Sequence, residues 1–146
     1  MSEWGFYHLT RTGPDAALPT LLGRTLEAGE RAVVRVGSDA RLAAVDGALW
    51  DSTAPPWLPH GSARTGHAAL QPIWLTCLDE NPNGARYVFL LDGTAPPAGE
   101  WARLFDLFDG QDEAAVVAAR VRWTAARADG HTLTYWQQGE RGWTKR

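Results

Sequence analysis

Two hydrophobic periods alternate along the chain and predict an alternation of strands and helices. Short apolar or β-branched runs, bounded by glycine, proline or asparagine, are typical of strands. Such runs predict five strands, at residues 5–10, 31–36, 72–77, 87–91 and 131–136. The last of them is expected at an edge of the sheet, and the fourth is apolar enough to be central.

Between these runs, apolar residues recur every three or four positions, which is the period of an amphipathic helix. One helix is predicted to begin at Pro14 and end before Gly29, and a second follows Ser38, a good N-cap, and ends at Trp50. Two more are predicted, a short helix over 100–107 and a longer one over 111–128. This alternation predicts one domain over 1–146, a three-layer α/β/α sandwich with a largely parallel, Rossmann-like sheet.

The helix over 111–128 has two distinct faces. Its side of small apolar residues, which includes Val117 and Val121, is expected to lie on the sheet, and Arg122 is expected to point into solvent. Another flank carries Val116, Arg120, Trp123 and Arg127. A ring between two guanidinium groups suits a ligand that is both acidic and apolar. The alternative is a solvated helix face with a half-buried Trp123.

A proline-rich loop over 49–61 carries a second candidate surface. Its three prolines exclude a continuous helix or a central strand. The stiffened loop therefore presents Trp57, and a ring held in this way loses little entropy when a partner covers it. The alternative for both Trp57 and Trp50 is that the ring folds back into the core.

Charge and composition narrow the possible partners. The 146 residues carry a net charge of −3, but residues 117–146 carry +4 and the preceding residues −7. No strong direct nucleic-acid binding is expected, because proteins that bind nucleic acids are basic over most of one face. The charge distribution is compatible with a local binding site for an acidic partner. The single cysteine, Cys77, and the lack of a signal peptide or apolar span predict a cytoplasmic protein that does not contact membranes.

Motifs for catalysis and cofactor binding are missing. The sequence contains no GxxxxGK[ST], no GxGxxG after the first predicted strand and no GxSxG elbow. The histidines do not have metal-ligand spacing. We therefore predict no phosphate-binding loop, no catalytic residue, no cofactor and no metal. A degenerate nucleotide-binding hydrolase that uses the carboxyl edge of the sheet stays open as the alternative.

Several segments, in order along the chain, resemble the chi subunit family of the bacterial DNA polymerase III holoenzyme. They are Phe6-Tyr7-His8-Leu9, Gly29-Glu30-Arg31-Ala32-Val33-Val34, Leu49-Trp50, Trp57-Leu58-Pro59-His60-Gly61, Gln71-Pro72-Ile73, Asn83-Gly84-Ala85, Phe108-Asp109-Gly110 and Ala119-Arg120-Val121-Arg122-Trp123. The most specific is the Leu-Trp pair followed by Leu-Pro-His-Gly. The resemblance covers nearly the whole chain.

The resemblance implies a non-catalytic accessory subunit of the clamp-loader complex in DNA replication, with an α/β/α fold that binds no nucleotide. Family members bridge the psi subunit and the acidic C-terminal tail of single-stranded-DNA-binding protein. That tail ends in aspartates, an apolar residue, a proline and a phenylalanine. Carried over by position, the tail site falls on Arg120 and Trp123, with Arg127 and Trp50 as neighbours.

The resemblance implies that Trp57 and Leu58 face the psi subunit. It also implies that Trp50 is a ring at the end of a helix and lies mostly in the core. Two positions depart from the family pattern. Some members carry basic residues where this chain has Val116 and Thr124. The basic residues of 139–146 are a possible source of compensating charge.

Overall fold

The strands of the computed structural model, which describes residues 2–146, form one eight-stranded sheet. They are β1 (Glu3–Leu9), β2 (Ala32–Arg35), β3 (Gly61–Ser62), β4 (Ile73–Thr76), β5 (Tyr87–Leu90), β6 (Arg103–Asp109), β7 (Thr132–Gly139) and β8 (Gly142–Lys145). Their order is β3-β4-β2-β5-β6-β1-β7-β8. Every neighbouring pair is parallel except β7 and β8.

Helices cover both faces of this sheet and confirm the predicted three-layer α/β architecture. The chain forms α1 (Pro14–Glu27), α2 (Asp39–Trp50) and α3 (Glu113–Ala128), with a short 3₁₀ turn at Ala68–Leu70. Leucines of α1 and α2 pack on the sheet face that carries Val34 and Leu75, whereas α3 packs on the opposite face against Phe6 and Val88. None of the helices in the described chain has the length and apolar character needed to span a bilayer.

Local signals place the helix ends where the sequence predicts them. The Ser38 hydroxyl accepts a hydrogen bond from the Arg41 amide at the start of α2. Asp112 caps α3 by accepting from two amides of its first turn. Gly29 and Gly130 follow α1 and α3 with φ angles of 77° and 84°, which a side chain would strain.

The prediction of a helix over 100–107 is wrong, because this segment enters β6 at the centre of the sheet. Leu104 and Phe108 face α3, whereas Phe105 and Leu107 face α1 and α2. A strand covered on both faces reads as a continuous apolar run, and periodicity alone does not distinguish a short run of this kind from a buried helix. Parallel pairing with β1 and β5 stabilises the strand conformation over a helix.

The prediction that 131–136 is the edge strand is also wrong. After a two-residue turn at Glu140 and Arg141, the chain folds back as β8 and pairs antiparallel with β7, so that β8 becomes the edge. The glycines Gly139 and Gly142 that flank the turn are the local signal for this hairpin.

Candidate functional site

Helix α3 packs on the sheet through a different face from the one that the sequence predicts. Val117 and Val121 are 56% and 66% exposed. Ala119 and Ala126 are buried instead, with Val116 and Trp123 packed beside them. The predicted face is wrong because the alanines of α3 extend from that face to the side that carries Ala119 and Ala126, so the large Trp123 ring, rather than two valines, decides which side buries more apolar area.

Arg122 does not point into solvent, which corrects a second prediction about this helix. Its Nε and Nη2 donate to the two carboxylate oxygens of Asp106 at 2.6 and 2.9 Å. Asp106 lies in β6 and is 1% exposed. The pair therefore joins the inner side of α3 to the centre of the sheet.

A pocket of about 250 Å³ opens between the other flank of α3 and the sheet. Its lining is aromatic and aliphatic apart from one arginine, and consists of Phe6, Phe108, Val116, Ala119, Arg120, Trp123 and Tyr135. The Trp123 ring meets the Phe6 and Tyr135 rings edge to face, with centroids 5.2 and 5.9 Å apart. The aromatic side chains therefore form rigid walls for an apolar group.

The charged group of this pocket is Arg120. It is exposed, and its guanidinium makes no hydrogen bond or ion pair with any residue from 2 to 146. The Tyr135 hydroxyl lies 2.6 Å from His8 Nδ1. Burial raises the pKa of Tyr135, while the nearby charges of Arg120 and Arg146 lower it. An apolar cavity with an unpaired cation at its mouth can hold a ligand that joins an apolar group to a carboxylate.

The structure brings together only part of the predicted tail site. Arg120 and Trp123 line the same pocket, and Arg127 lies exposed in the last turn of α3, outside the lining. Trp50 ends α2 on the opposite face of the sheet. Its prediction as a neighbour of Arg120 is therefore wrong, because the α2 and α3 helices are separated by the full thickness of the sheet.

The end of α2 and the proline-rich loop that follows it carry two exposed tryptophans. Trp57 is 70% exposed and Trp50 is 63% exposed, so the prediction that Trp50 lies mostly in the core is wrong. The Trp50 ring instead rests on the His60 ring, with centroids 4.9 Å apart. Leu58 is only 2% exposed and belongs to the core under α1 and α2, where it anchors the loop.

His60 ties this loop to α2. Its Nδ1 lies 2.7 Å from the Leu58 carbonyl oxygen, and its Nε2 lies 2.9 Å from Asp46 Oδ1. Each ring nitrogen of His60 thus has a partner, one in the loop and one in α2. The loop backbone beside Trp57 is therefore fixed at a position set by α2.

A larger pocket of about 690 Å³ lies at the carboxyl edge of the sheet, between the starts of α1 and α3. Parallel α/β folds bind ligands at such a place, where the chain leaves neighbouring strands in opposite directions. Here the lining includes four aspartates, Asp15, Asp92, Asp109 and Asp112. Arg41 donates to Asp15 and Asp92, and Asp15 raises the pKa of this guanidinium. The pocket thus presents carboxylates, which disfavour a phosphate group.

Neither a metal site nor an activated thiol is found among the residues that the structure describes. Residues 2–146 contain no group of three or more His, Cys, Asp or Glu side chains that could hold a metal ion. The Cys77 thiol donates to Asp39 Oδ1 at 3.4 Å, and this contact raises the pKa of the thiol.

Sequence reasoning missed three aromatic residues of the α3 pocket, Phe6, Phe108 and Tyr135. Each sits on a different strand, and each faces α3 because residues alternate between the two faces of a strand. Only the order β6-β1-β7 brings them together, and that order is not apparent from local patterns. The alternation of side chains between the two faces of each strand is the one sequence signal that could have indicated that these three aromatic residues face α3.

Comparison with known proteins identifies a family. The family model of the DNA polymerase III chi subunit, HolC, matches residues 1–134, a range that ends before Tyr135 and the β8 strand. No curated protein matches the chain. With most of its length covered by that family model, the chain belongs to the chi subunit family of DNA polymerase III and is an accessory subunit of DNA replication.

Proposed function

We propose that this subunit is a non-catalytic adaptor whose α3 pocket binds the acidic C-terminal tail of single-stranded-DNA-binding protein. The observation that carries this proposal is the unpaired Arg120 guanidinium at the mouth of an aromatic pocket. The tail ends in a phenylalanine that bears the free C-terminal carboxylate. Its ring suits the walls formed by Trp123 and Tyr135, and its carboxylate suits Arg120.

The second half of the proposal is that the loop around Trp57 binds the psi subunit of the clamp loader. Trp57 is exposed on a loop that His60 ties to α2, and Trp50, the last residue of α2, is also exposed. Tryptophan is enriched among binding hot spots. Leu58 is buried below this surface, so we assign it the support of the loop rather than direct contact. The Arg41 and aspartate network in the pocket at the carboxyl edge of the sheet favours an adaptor over a nucleotide hydrolase.

Titration of the protein with the peptide Asp-Asp-Asp-Ile-Pro-Phe tests the tail site. Arg120→Ala should weaken binding by about 2 kcal/mol, or roughly 30-fold, because it removes a charge-assisted hydrogen bond to a carboxylate. Binding to the wild type should also weaken as salt rises. Calorimetry measures both effects.

Arg64→Ala is the matched control, since Arg64 is an exposed arginine beside Trp50 and far from the α3 pocket. This variant loses the same charge and should bind the peptide with wild-type affinity. Equal affinity of the Arg120→Ala variant and the wild type would contradict the proposed site.

A further inference from the structure

The β7–β8 hairpin places a second arginine beside the α3 pocket. In the antiparallel register Trp136 pairs with Lys145, which sets Tyr135 opposite Arg146. The Arg146 amide donates to the Tyr135 carbonyl oxygen at 2.7 Å. Directly opposed residues of an antiparallel pair project from the same face with their Cβ atoms about 5 Å apart. Tyr135 lines the pocket, so the Arg146 side chain leaves the sheet at the rim of that pocket.

The electrostatics of Tyr135 agree with this placement. Arg120 and Arg146 are the two cations that lower the pKa of its hydroxyl, against the effect of burial. Arg120 comes from α3 and Arg146 from the sheet edge, so the two charges approach the tyrosine from different elements. Like Arg120, Arg146 makes no ion pair with any of the described side chains.

We propose that Arg146 is a second carboxylate-binding residue of the α3 pocket and binds an aspartate side chain of the acidic peptide while Arg120 binds its C-terminal carboxylate. This assignment rests on the proposed function of the pocket. It also gives the pocket a positive charge although α3 has Val116 and Thr124, where the resemblance places basic residues in some family members. That charge comes from the residue that follows β8 instead of from α3.

The other basic residues of the hairpin do not have this position. Lys145 projects from the opposite face of the sheet, where its Nζ lies 5.8 Å from the centre of the Trp136 ring. Arg141 sits in the turn at the far end of the hairpin, beside Gly142 and Gly139. Arg141 therefore offers a matched control, because it carries the same charge on the same hairpin without reaching the pocket.

The test compares Arg146→Gln and Arg141→Gln in titrations with Asp-Asp-Asp-Ile-Pro-Phe and with Asn-Asn-Asn-Ile-Pro-Phe. Arg146→Gln should weaken binding of the aspartate peptide by about 3- to 10-fold and leave binding of the asparagine peptide within about 2-fold, as expected for one partly exposed ion pair. Arg141→Gln should leave both affinities within about 2-fold. Arg146→Lys should restore most of the loss, since it retains the charge.

Four results would overturn the inference. Wild-type affinity of Arg146→Gln for the aspartate peptide would show that Arg146 does not bind it. Equal losses in the two glutamine variants would indicate an effect of net charge, and equal losses for the two peptides would indicate a structural role. If the wild type binds neither peptide, the proposed function of the pocket fails, and the assignment of Arg146 fails with it.

Discussion

At the scale of single residues, the ion pair between Arg122 and Asp106 has the clearest energetic consequence. Asp106 is almost fully buried, and Arg122 is its ion-pair partner. Removal of one member of a buried pair leaves the other charge uncompensated, which costs about 3–5 kcal/mol. We expect Arg122→Ala to lower the free energy of unfolding by this amount in urea denaturation. The control Arg127→Ala, an exposed arginine of the same helix, should change it by no more than about 0.5 kcal/mol.

The Arg122→Ala variant should also respond to pH in a defined direction. Burial raises the pKa of Asp106, and the Arg122 guanidinium partly offsets that rise. Without Arg122 the folded-state pKa rises further, so the cost of ionising the buried carboxyl appears only above its unfolded pKa of about 4. The stability deficit should therefore be small near pH 3 and grow towards pH 7. A deficit that does not change with pH would indicate lost packing instead of an unpaired charge.

At the scale of elements, the N-terminus of α3 illustrates how one polar side chain fixes a helix that carries a site. Asp112 Oδ1 accepts from the Ala114 amide at 3.0 Å and from the Ala115 amide at 3.5 Å. Loss of such a cap costs about 1 kcal/mol. We expect Asp112→Ala to lower stability by this amount in thermal unfolding, whereas Asp112→Asn keeps the acceptor and should lose less. Equal losses in the two variants would assign the effect to charge at the helix dipole.

Some helices and strands could be predicted from the sequence and others could not. Caps, glycines and periodicity indicated α1, α2 and α3, because these signals act within a few residues of each helix end. The residues 100–107 could not be assigned in this way, since β6 owes its conformation to pairing with β1 and β5. Likewise, helical geometry alone predicts that Arg120 and Trp123 lie on the same flank of α3. The presence of Tyr135 in their pocket depends on the order of the strands and could not be predicted from local patterns. Non-local pairing is the information that periodicity lacks.

At the scale of the whole molecule, the two candidate surfaces lie on opposite sides of one rigid sheet. The α3 pocket opens on one face, and the Trp57 loop packs with α2 on the other. A single peptide cannot contact both, and no element described in residues 2–146 belongs to both surfaces. We therefore expect the proposed adaptor to bind its two partners at once, with binding free energies that add.

This geometry predicts that each surface can be disrupted without the other. Trp57→Ala should keep the fold and bind Asp-Asp-Asp-Ile-Pro-Phe with an affinity within about 2-fold of the wild type. It should reduce capture of a purified psi subunit, because truncation of a hot-spot tryptophan costs about 2 kcal/mol or more of binding free energy. Leu70→Ala is the matched control, since Leu70 is an equally exposed apolar residue outside both surfaces.

Peptide titrations of the free protein and of its psi complex measure the coupling free energy between the two binding surfaces. A change in peptide affinity of more than about 5-fold on psi binding would mean that the sheet transmits a conformational change between its faces, and the rigid two-sided arrangement would then be wrong.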